Sequence, residues 1–388
     1  MEGVAVTVEN SSGDVIGEGT SGTDGTFIVD LPGTAIDNLG KTFTVKLDED
    51  SLPEDTSPEI LSRDVTVNLD VDQSVTFPVG AAEVGSGTGA QALQLVVTGL
   101  VFSVLLAMAA LGLSMIFGTT GLTNFSHGEL ITFGALVAYA VDQLPGTIGI
   151  GGVNLTVVVA ILVAFVVSGA FGWLNDAALW RPLRRRGTGL IAMMIVSIGL
   201  SIFLRSIYQY VSGAQARNYS QYSAVTPMEI GPVLVTSKDL IVIGLGLAVL
   251  LTTTSLLQFT RIGKATRAVA DNPPLSAATG INVERVISVV WIGGVALAGL
   301  SGALLGVTQG FDYQIGFKLL LLVFAAVVLG GLGTVWGAIV GAFIIGLFTE
   351  LSTLLVPAEF KFVGALLVLI LVLLVRPQGL LGRAQRIG

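Results

Sequence analysis

Gly118-Thr119-Thr120-Gly121-Leu122-Thr123-Asn124-Phe125-Ser126-His127-Gly128-Glu129-Leu130-Ile131-Thr132-Phe133-Gly134 separates two apolar runs, Leu95–Phe117 before it and Leu130–Leu144 after it. About 20 apolar residues suffice for a helix to cross a hydrocarbon core of about 30 Å. The first run therefore reads as a span, and Asn124, Ser126, His127 and Glu129 follow close to membrane depth. Polar side chains there are costly unless they line a cavity or pair within the protein. A glycine-rich break that opens a half-helix aims free backbone N–H groups at the middle of the fold. Two readings stand side by side. The cluster lines a translocation path, or it is a loop in which Ser126 caps the next helix and Glu129 completes a capping box.

Working outward, the chain from residue 93 on is a series of such runs. Clear spans are Leu95–Phe117, Leu155–Leu174, Leu190–Tyr210, Leu240–Phe259, Ile287–Val307 and Phe362–Val375. Leu130–Leu144 follows the polar break, and Phe317–Leu351 is split at Gly330-Gly331-Leu332-Gly333. The expected fold is mostly α, a polytopic transmembrane bundle of about eight or nine passes with broken or re-entrant helices. Composition agrees: 52% of residues are hydrophobic, only 12% are charged, and the mean hydropathy is +0.83. Soluble chains carry about twice that charge, so an ordinary cytosolic enzyme and a disordered chain are both excluded. With no Cys, disulfides and thiolate chemistry are absent, and the single His127 leaves no room for a histidine metal cluster. No metal or other cofactor is expected.

The net charge of −8 conceals two opposite halves. Residues 1–90 hold 17 acidic and 3 basic groups, and residues 91–388 hold 10 acidic and 16 basic ones. Such a split marks two domains in different surroundings. Basic residues favour the cytoplasmic side. The clusters Arg181–Arg186, Arg261–Arg267 and Arg376, Arg383, Arg386 are separated by even numbers of spans and fall on one face. Three passes precede Arg181, which puts residues 1–90 outside and the C-terminus in the cytoplasm. The sequons at Asn10, Asn154 and Asn218 fall on the outer side of that scheme.

Residues 1–80 read as a small extracellular β-sandwich. Val4, Val6 and Val8 alternate with small or polar residues, and similar runs recur at Thr26–Leu31, Thr42–Leu47, Asp64–Leu69 and Ser74–Val79. Turn residues separate them, including Ser12-Gly13-Asp14, Thr23-Asp24-Gly25 and Pro32-Gly33. The densest acidic cluster, Asp48-Glu49-Asp50, lacks the spaced oxygen ligands of a calcium loop and reads as solvated surface. Residues 81–92, rich in Gly and Ser, read as a linker to the membrane domain at 93–388. The segment Gly17–Phe27 resembles the transthyretin-like or carboxypeptidase-regulatory-like β-domains. Those domains begin with one more strand, so a start upstream of Met1, or a missing signal and first strand, is expected.

A second resemblance covers roughly residues 95–385. Asn124-Phe125-Ser126-His127-Gly128-Glu129 is similar to the signature of the branched-chain amino acid ABC transporter permeases, of the LivH-like type. Arg267-Ala268-Val269-Ala270-Asp271-Asn272-Pro273, with Gly280-Ile281-Asn282-Val283-Glu284-Arg285-Val286, resembles that family's cytoplasmic coupling segment. Gly330-Gly331-Leu332-Gly333-Thr334-Val335-Trp336-Gly337-Ala338 resembles its Gly-rich re-entrant region, and Arg376-Pro377-Gln378-Gly379-Leu380-Leu381-Gly382-Arg383 its tail. The tandem proline made by Pro274, the bulky Trp336 and the added β-domain depart from the pattern.

The resemblance implies a permease subunit in the plasma membrane, importing branched-chain or related amino acids. Its implied partners are two cytoplasmic ABC ATPases, a second homologous permease and an extracellular substrate-binding protein, with no nucleic acid. Asn124, Ser126, His127, Glu129 and Glu350 become candidates for the path, Glu350 being equally readable as an interfacial carboxylate. Gly128, Gly330, Gly331, Gly333 and Gly337 become re-entrant or hinge glycines, although close helix packing alone would also use them. Arg267, Asp271, Gly280 and Arg285 become the ATPase-coupling residues, in a stretch that without the resemblance is an amphipathic loop. No Gly-x-x-x-x-Gly-Lys-Ser/Thr occurs, so this chain is no ATPase and needs separate ones. A urea or short-chain amide permease is the alternative within the family. A secondary carrier using Glu129, His127 or Glu350 for protons or sodium is the alternative outside it.

Overall fold

A computed structural model describes residues 3–10, 12–22, 25–48, 51–52, 56–58, 61–67, 75, 77, 79–81, 88–144, 149–150, 153–219, 227–357, 360–375 and 379–382. The chain divides into two compact units, Met1–Gln91 with Glu229–Leu234, and Ala92–Met228 with Val235–Gly388.

In the first unit, strands β1 (Ala5–Glu9), β2 (Val15–Thr20), β3 (Thr42–Leu47) and β5 (Ser62–Thr66) form an antiparallel sheet in the order β2-β1-β3-β5. Period-2 alternation puts Val6, Val8, Phe43 and Val45 on one buried face. A short helix α1 (Ala35–Asn38) precedes β3, and β4 (Thr56–Pro58) pairs separately with β6 (Val79–Ala81). The run Thr26–Leu31, read as a strand from its alternation, makes no strand. Phe27, Val29 and Leu31 instead pack onto the sheet core, with Val29 lying over Gly17 and Gly19 of β2. Alternation reports burial against a pleated face, and ladder pairing need not follow. The strand expected at Asp64–Leu69 lies earlier, as β5. Of Ser74–Val79 only residues 75, 77 and 79 are described, and Glu49 and Asp50 also lie outside the described residues.

The second unit is helical. Its helices are α2 (Thr88–Thr120), α3 (His127–Asp142), α4 (Thr156–Asn175), α5 (Arg181–Arg185), α6 (Leu190–Ser212) and α7 (Ser237–Phe259). They are followed by α8 (Arg261–Asp271), α9 (Pro273–Ala278), α10 (Val283–Gln309), α11 (Ile315–Gly330), α12 (Val335–Leu351) and α13 (Lys361–Val375). A short hairpin β7 (Gly149–Ile150)–β8 (Val153–Asn154) lies between α3 and α4; the hairpin β9 (Met228–Ile230)–β10 (Val233–Val235), between α6 and α7 in the chain, belongs mostly to the first unit. Helix α2 starts at Thr88, inside the stretch read as linker: Thr88–Ala92 holds no proline, and its one glycine costs only about 1 kcal/mol once the apolar run is in place.

Six helices among the described residues are long and apolar enough to cross a membrane; α3, α11 and α13 fall short, with 16, 16 and 15 residues. Helices α2 and α10 are enclosed on nearly every side, while α4, α6 and α7 keep most of their surface outward. The enclosed pair comes close because small residues meet: a Cβ on Gly112 of α2 would strike the Gly294 carbonyl of α10, and α3 approaches α10 in the same way, a Cβ on Gly134 striking the Gly299 backbone.

The split at residues 330–333 is a chain reversal. Helix α11 ends at Gly330, Gly331 (φ +114°) and Gly333 (φ +75°) turn the backbone, and α12 returns against α11. Only glycine takes these angles at no steric cost. The end of α11 is closed by the tail: Leu380 N–H donates to the Leu329 carbonyl at 2.7 Å and Leu381 N–H to the Gly330 carbonyl at 2.9 Å. Removing residues 379–382 strands both carbonyls and is expected to lower stability by about 1–3 kcal/mol, read as a fall in the unfolding temperature of the purified chain.

Candidate functional site

The break after α2 is a stretch of buried, non-helical backbone satisfied by side chains. Gly121 (φ +67°) ends α2, and Phe125 N–H donates to the Ser197 hydroxyl at 3.0 Å. Asn124 Oδ1 accepts from both the N–H (3.1 Å) and the hydroxyl (2.7 Å) of Ser126. The chain then turns into α3 beside the middle of α2: His127 Nε2–H donates to the Ala109 carbonyl at 3.0 Å. Ala109 lies eleven residues before the end of α2, about 16 Å along its axis. Residues 121–126 thus climb back to span depth before α3 begins. Irregular backbone at such depth is tolerated only inside protein. Here Leu122, Asn124, Ser126 and His127 are all buried.

The capping box does not form. The Ser126 hydroxyl is committed to Asn124, no side chain caps α3, and the Glu129 carboxylate points elsewhere. It faces α6. Glu129 Oε1 accepts from Ser201 (3.0 Å) and from Arg205 Nε (3.1 Å), while Arg205 Nη2 donates to the Ser201 hydroxyl (3.0 Å). Glu129 is fully buried, Arg205 keeps 23% of its side chain exposed, and its guanidinium lies 3.8 Å over the Phe317 ring. One turn further along each helix, Phe133 of α3 meets Tyr208 of α6 at 6.5 Å and stacks on Phe171 at 4.3 Å. Residues 125–133 and 197–208 therefore run side by side in the same direction. Among the described residues, Glu129 Oε2, the Tyr208 hydroxyl, Asn124 Nδ2 and His127 Nδ1 are buried without a hydrogen-bond partner.

Of the five residues expected on a path, four gather at this break but on two sides of α3. His127 is turned to α2 and Glu129 to α6. Glu350 is elsewhere: buried in the last turn of α12, with its Cβ beside Gly99 of α2, ten residues from Ala109. Gly128 lets α3 lie backbone-to-backbone against Gly316 of α11, whose N–H donates to the Thr132 hydroxyl at 3.1 Å. Gly330 and Gly337 make the same kind of contact between α11 and α12.

The segment 261–285 forms an elbow. Thr260 caps α8, Asn272 caps α9 through Leu275 N–H, and Asn282 caps α10 through Arg285 N–H. Pro273 and Pro274 open α9, where missing N–H groups cost nothing. Arg267 is folded back onto the Leu257 and Gln258 carbonyls and so fixes α8 against the end of α7. Gly280 (φ +89°) closes α9. Asp271, Leu275 and Arg285 are exposed, Leu275 to 61%.

Two groups of residues escaped the sequence reading. Arg205 is a lone cation within the apolar run Leu190–Tyr210, and a single ionisable residue in a span is itself a signal of function. The other is an ionic lattice where α4 passes through one π-helical turn, Asp176–Trp180. Asp176, fully buried, binds Arg184 (2.8 Å) and the Ser288 hydroxyl (2.6 Å); Glu284 of α10 binds Arg184 (2.9 Å). Trp180 stacks on Trp291 beside it. Arg181 and Arg184 had served only as topological markers.

Apolar helices around an enclosed pair, broken backbone at span depth and a buried carboxylate–guanidinium pair define a multi-pass helical membrane protein with polar chemistry inside its bundle. The chain belongs to the family of branched-chain amino acid transport system permease components, whose sequence profile matches residues 95–375. It is 32% identical over 298 residues to the high-affinity branched-chain amino acid transport system permease protein LivH of Escherichia coli K12, covering 76% of this chain and 96% of that one. It is 31% identical over 301 residues to BraD of Pseudomonas aeruginosa, described likewise, with coverage of 76% and 96%. It is 29% identical over 303 residues to a probable branched-chain amino acid transport permease LivH of Methanocaldococcus jannaschii, covering 73% and 90%. No solved structure matches the chain significantly.

Proposed function

We propose that the chain is the permease subunit of an ABC importer that moves branched-chain amino acids across the plasma membrane. The observation that carries this is the match of its whole helical unit to permeases so named. The path runs past the break at Asn124–Glu129 and along the α3–α6 face, with α3, α11 and α13 as shorter passes completing the bundle. The basic clusters orient α8–α9 and the C-terminus to the cytoplasm and residues 1–80 outward. A binding protein delivers substrate outside, a second homologous permease completes the path, and two ATPases push on the elbow formed by α8 and α9.

The lattice of Asp176, Arg181, Arg184 and Glu284 gives that push a route. It ties the start of α10, directly after α9, to α4 and α5. Secondary-carrier chemistry fits less well, since Glu129 carries its own counter-charge in Arg205.

The test is affinity purification of the tagged chain from mild-detergent membranes, with mass spectrometry of what accompanies it. Two P-loop ATPases and a second permease are expected. Leu275→Asp, at an exposed apolar tip, is expected to remove at least about nine-tenths of the recovered ATPase, a loss of roughly 1.4 kcal/mol of docking energy. The unfolding temperature stays unchanged. A wild-type chain recovered alone overturns the reading.

A further inference from the structure

We infer that Glu129 and Arg205 form a relay station for a zwitterion, in which an α-amino acid inserts between the two side chains, its ammonium on Glu129 and its carboxylate on Arg205. This deepens the importer reading and rests on it. Three observations point the same way. First, the pair is chemically matched to an α-amino acid: one carboxylate and one guanidinium within 3.1 Å, each able to exchange its partner for the opposite end of the ligand. Second, polar capacity is left over at the site. Glu129 Oε2 and the Tyr208 hydroxyl are buried and unpartnered among the described residues, although Glu129 Oε1 accepts from both Ser201 and Arg205. An unpartnered carboxylate oxygen at zero exposure is a standing cost that a ligand ammonium would remove.

Third, the station has an entrance and a wall. Arg205 reaches the outer surface of the bundle, where Phe317 (43% exposed) lies under it and Ile202 and Phe203 are open. A guanidinium facing lipid at that level would be expensive, so this face borders protein or a wet path. Phe133, Phe171 and Tyr208 pack together one turn on, which makes the neighbouring wall aromatic.

The pair is also balanced within itself. The two charges neutralise each other, and Ser201 bonds to both, so neither is left buried and alone. A zwitterion must open that pair and replaces it with two similar ones. The exchange is close to neutral, which makes the stay brief, as suits a site that only passes its ligand on. A neutral amide or urea has no charges to exchange and cannot open the pair. The station therefore separates amino-acid transport from the amide alternative.

The experiment uses the complete transporter copurified on the tagged chain, reconstituted in proteoliposomes with its binding protein, and radiolabelled L-leucine. Wild-type uptake tests the underlying importer reading, and its absence overturns that reading by itself. Given uptake, Glu129→Gln and Arg205→Gln are each expected to lower it by at least about tenfold, the effect of losing one charge-assisted hydrogen bond. Arg205→Lys, which keeps the cation, is expected to recover part of the loss. The double variant E129Q/R205Q retains a neutral hydrogen-bonded pair between α3 and α6. It is expected to keep its unfolding temperature and its ATPase and permease partners while still failing to transport. Full uptake by a stable double variant overturns the station. So does a loss of uptake in every variant that merely follows loss of folded complex, because the pair would then be a bolt between helices.

Discussion

Asp176→Ala is expected to lower the unfolding free energy of the membrane unit by about 1.5–3 kcal/mol, because it removes the fully buried counter-charge of Arg184 and Arg181 and leaves them only the more exposed Glu284. Arg184 is hemmed in by Asp176 and Glu284 with only 14% of its side chain exposed, and the Ser288 hydroxyl loses its acceptor at the same time. Asp176→Asn keeps the shape and one acceptor and should fall between the two. Glu284→Gln, at a partner 36% exposed, should cost far less because water screens it. Unfolding temperatures of the three variants in detergent check the order. Equal effects at Asp176 and Glu284 would mean that the lattice is solvated and does not join α4 and α5 to α10 rigidly.

Gly316→Val is expected to remove nearly all correctly folded protein. A Cβ at Gly316 would enter the Gly128 carbonyl, and one at Gly128 would lie 2.5 Å from the Gly316 oxygen, so neither backbone can yield without parting α3 from α11. Overpacking of this kind costs about 1–3 kcal/mol where side chains can adjust, and here the obstacle is main chain. Gly199→Ala on α6 and Gly244→Ala on α7 meet nothing within 4 Å and should leave folding intact or slightly improved. The monodisperse fraction in size-exclusion chromatography, compared across the three, reads the difference. A normal yield for Gly316→Val would show that α3 and α11 do not meet as described.

Features encoded within a short window were legible in the sequence. The reversal at residues 330–333 announced itself through three glycines interrupting an apolar run, and α11 stops at Gly330. Pro273 and Pro274 end one helix and open the next, as their ring geometry dictates. Thr42–Leu47 is a strand with the expected bounds. Local windows misled where a pattern has two physical causes. Ser126-x-x-Glu129 has the spacing of a capping box, but each side chain found a stronger partner elsewhere. Thr26–Leu31 alternates because it covers a sheet face. What no window could supply were contacts across long separations: Glu129 with Arg205, 76 residues on, and Arg184 with Glu284, 100 residues on. Treating basic residues as markers of sidedness hid the fact that some of them are partners.

The clasp of Leu380 and Leu381 on the end of α11 has a consequence for biosynthesis. The two carbonyls it satisfies emerge from the ribosome and enter the membrane well before their donors are made. Throughout that interval the α11–α12 hairpin carries two unpaired acceptors in apolar surroundings, and it stays open to rearrangement or to recognition by quality-control proteases. Completion of α13 and the residues after it ends the exposure. Closure of the α11–α12 hairpin therefore waits until α13 and the residues after it have been made, so that a chain cut short before them is marked as unfinished by the same bonds it lacks.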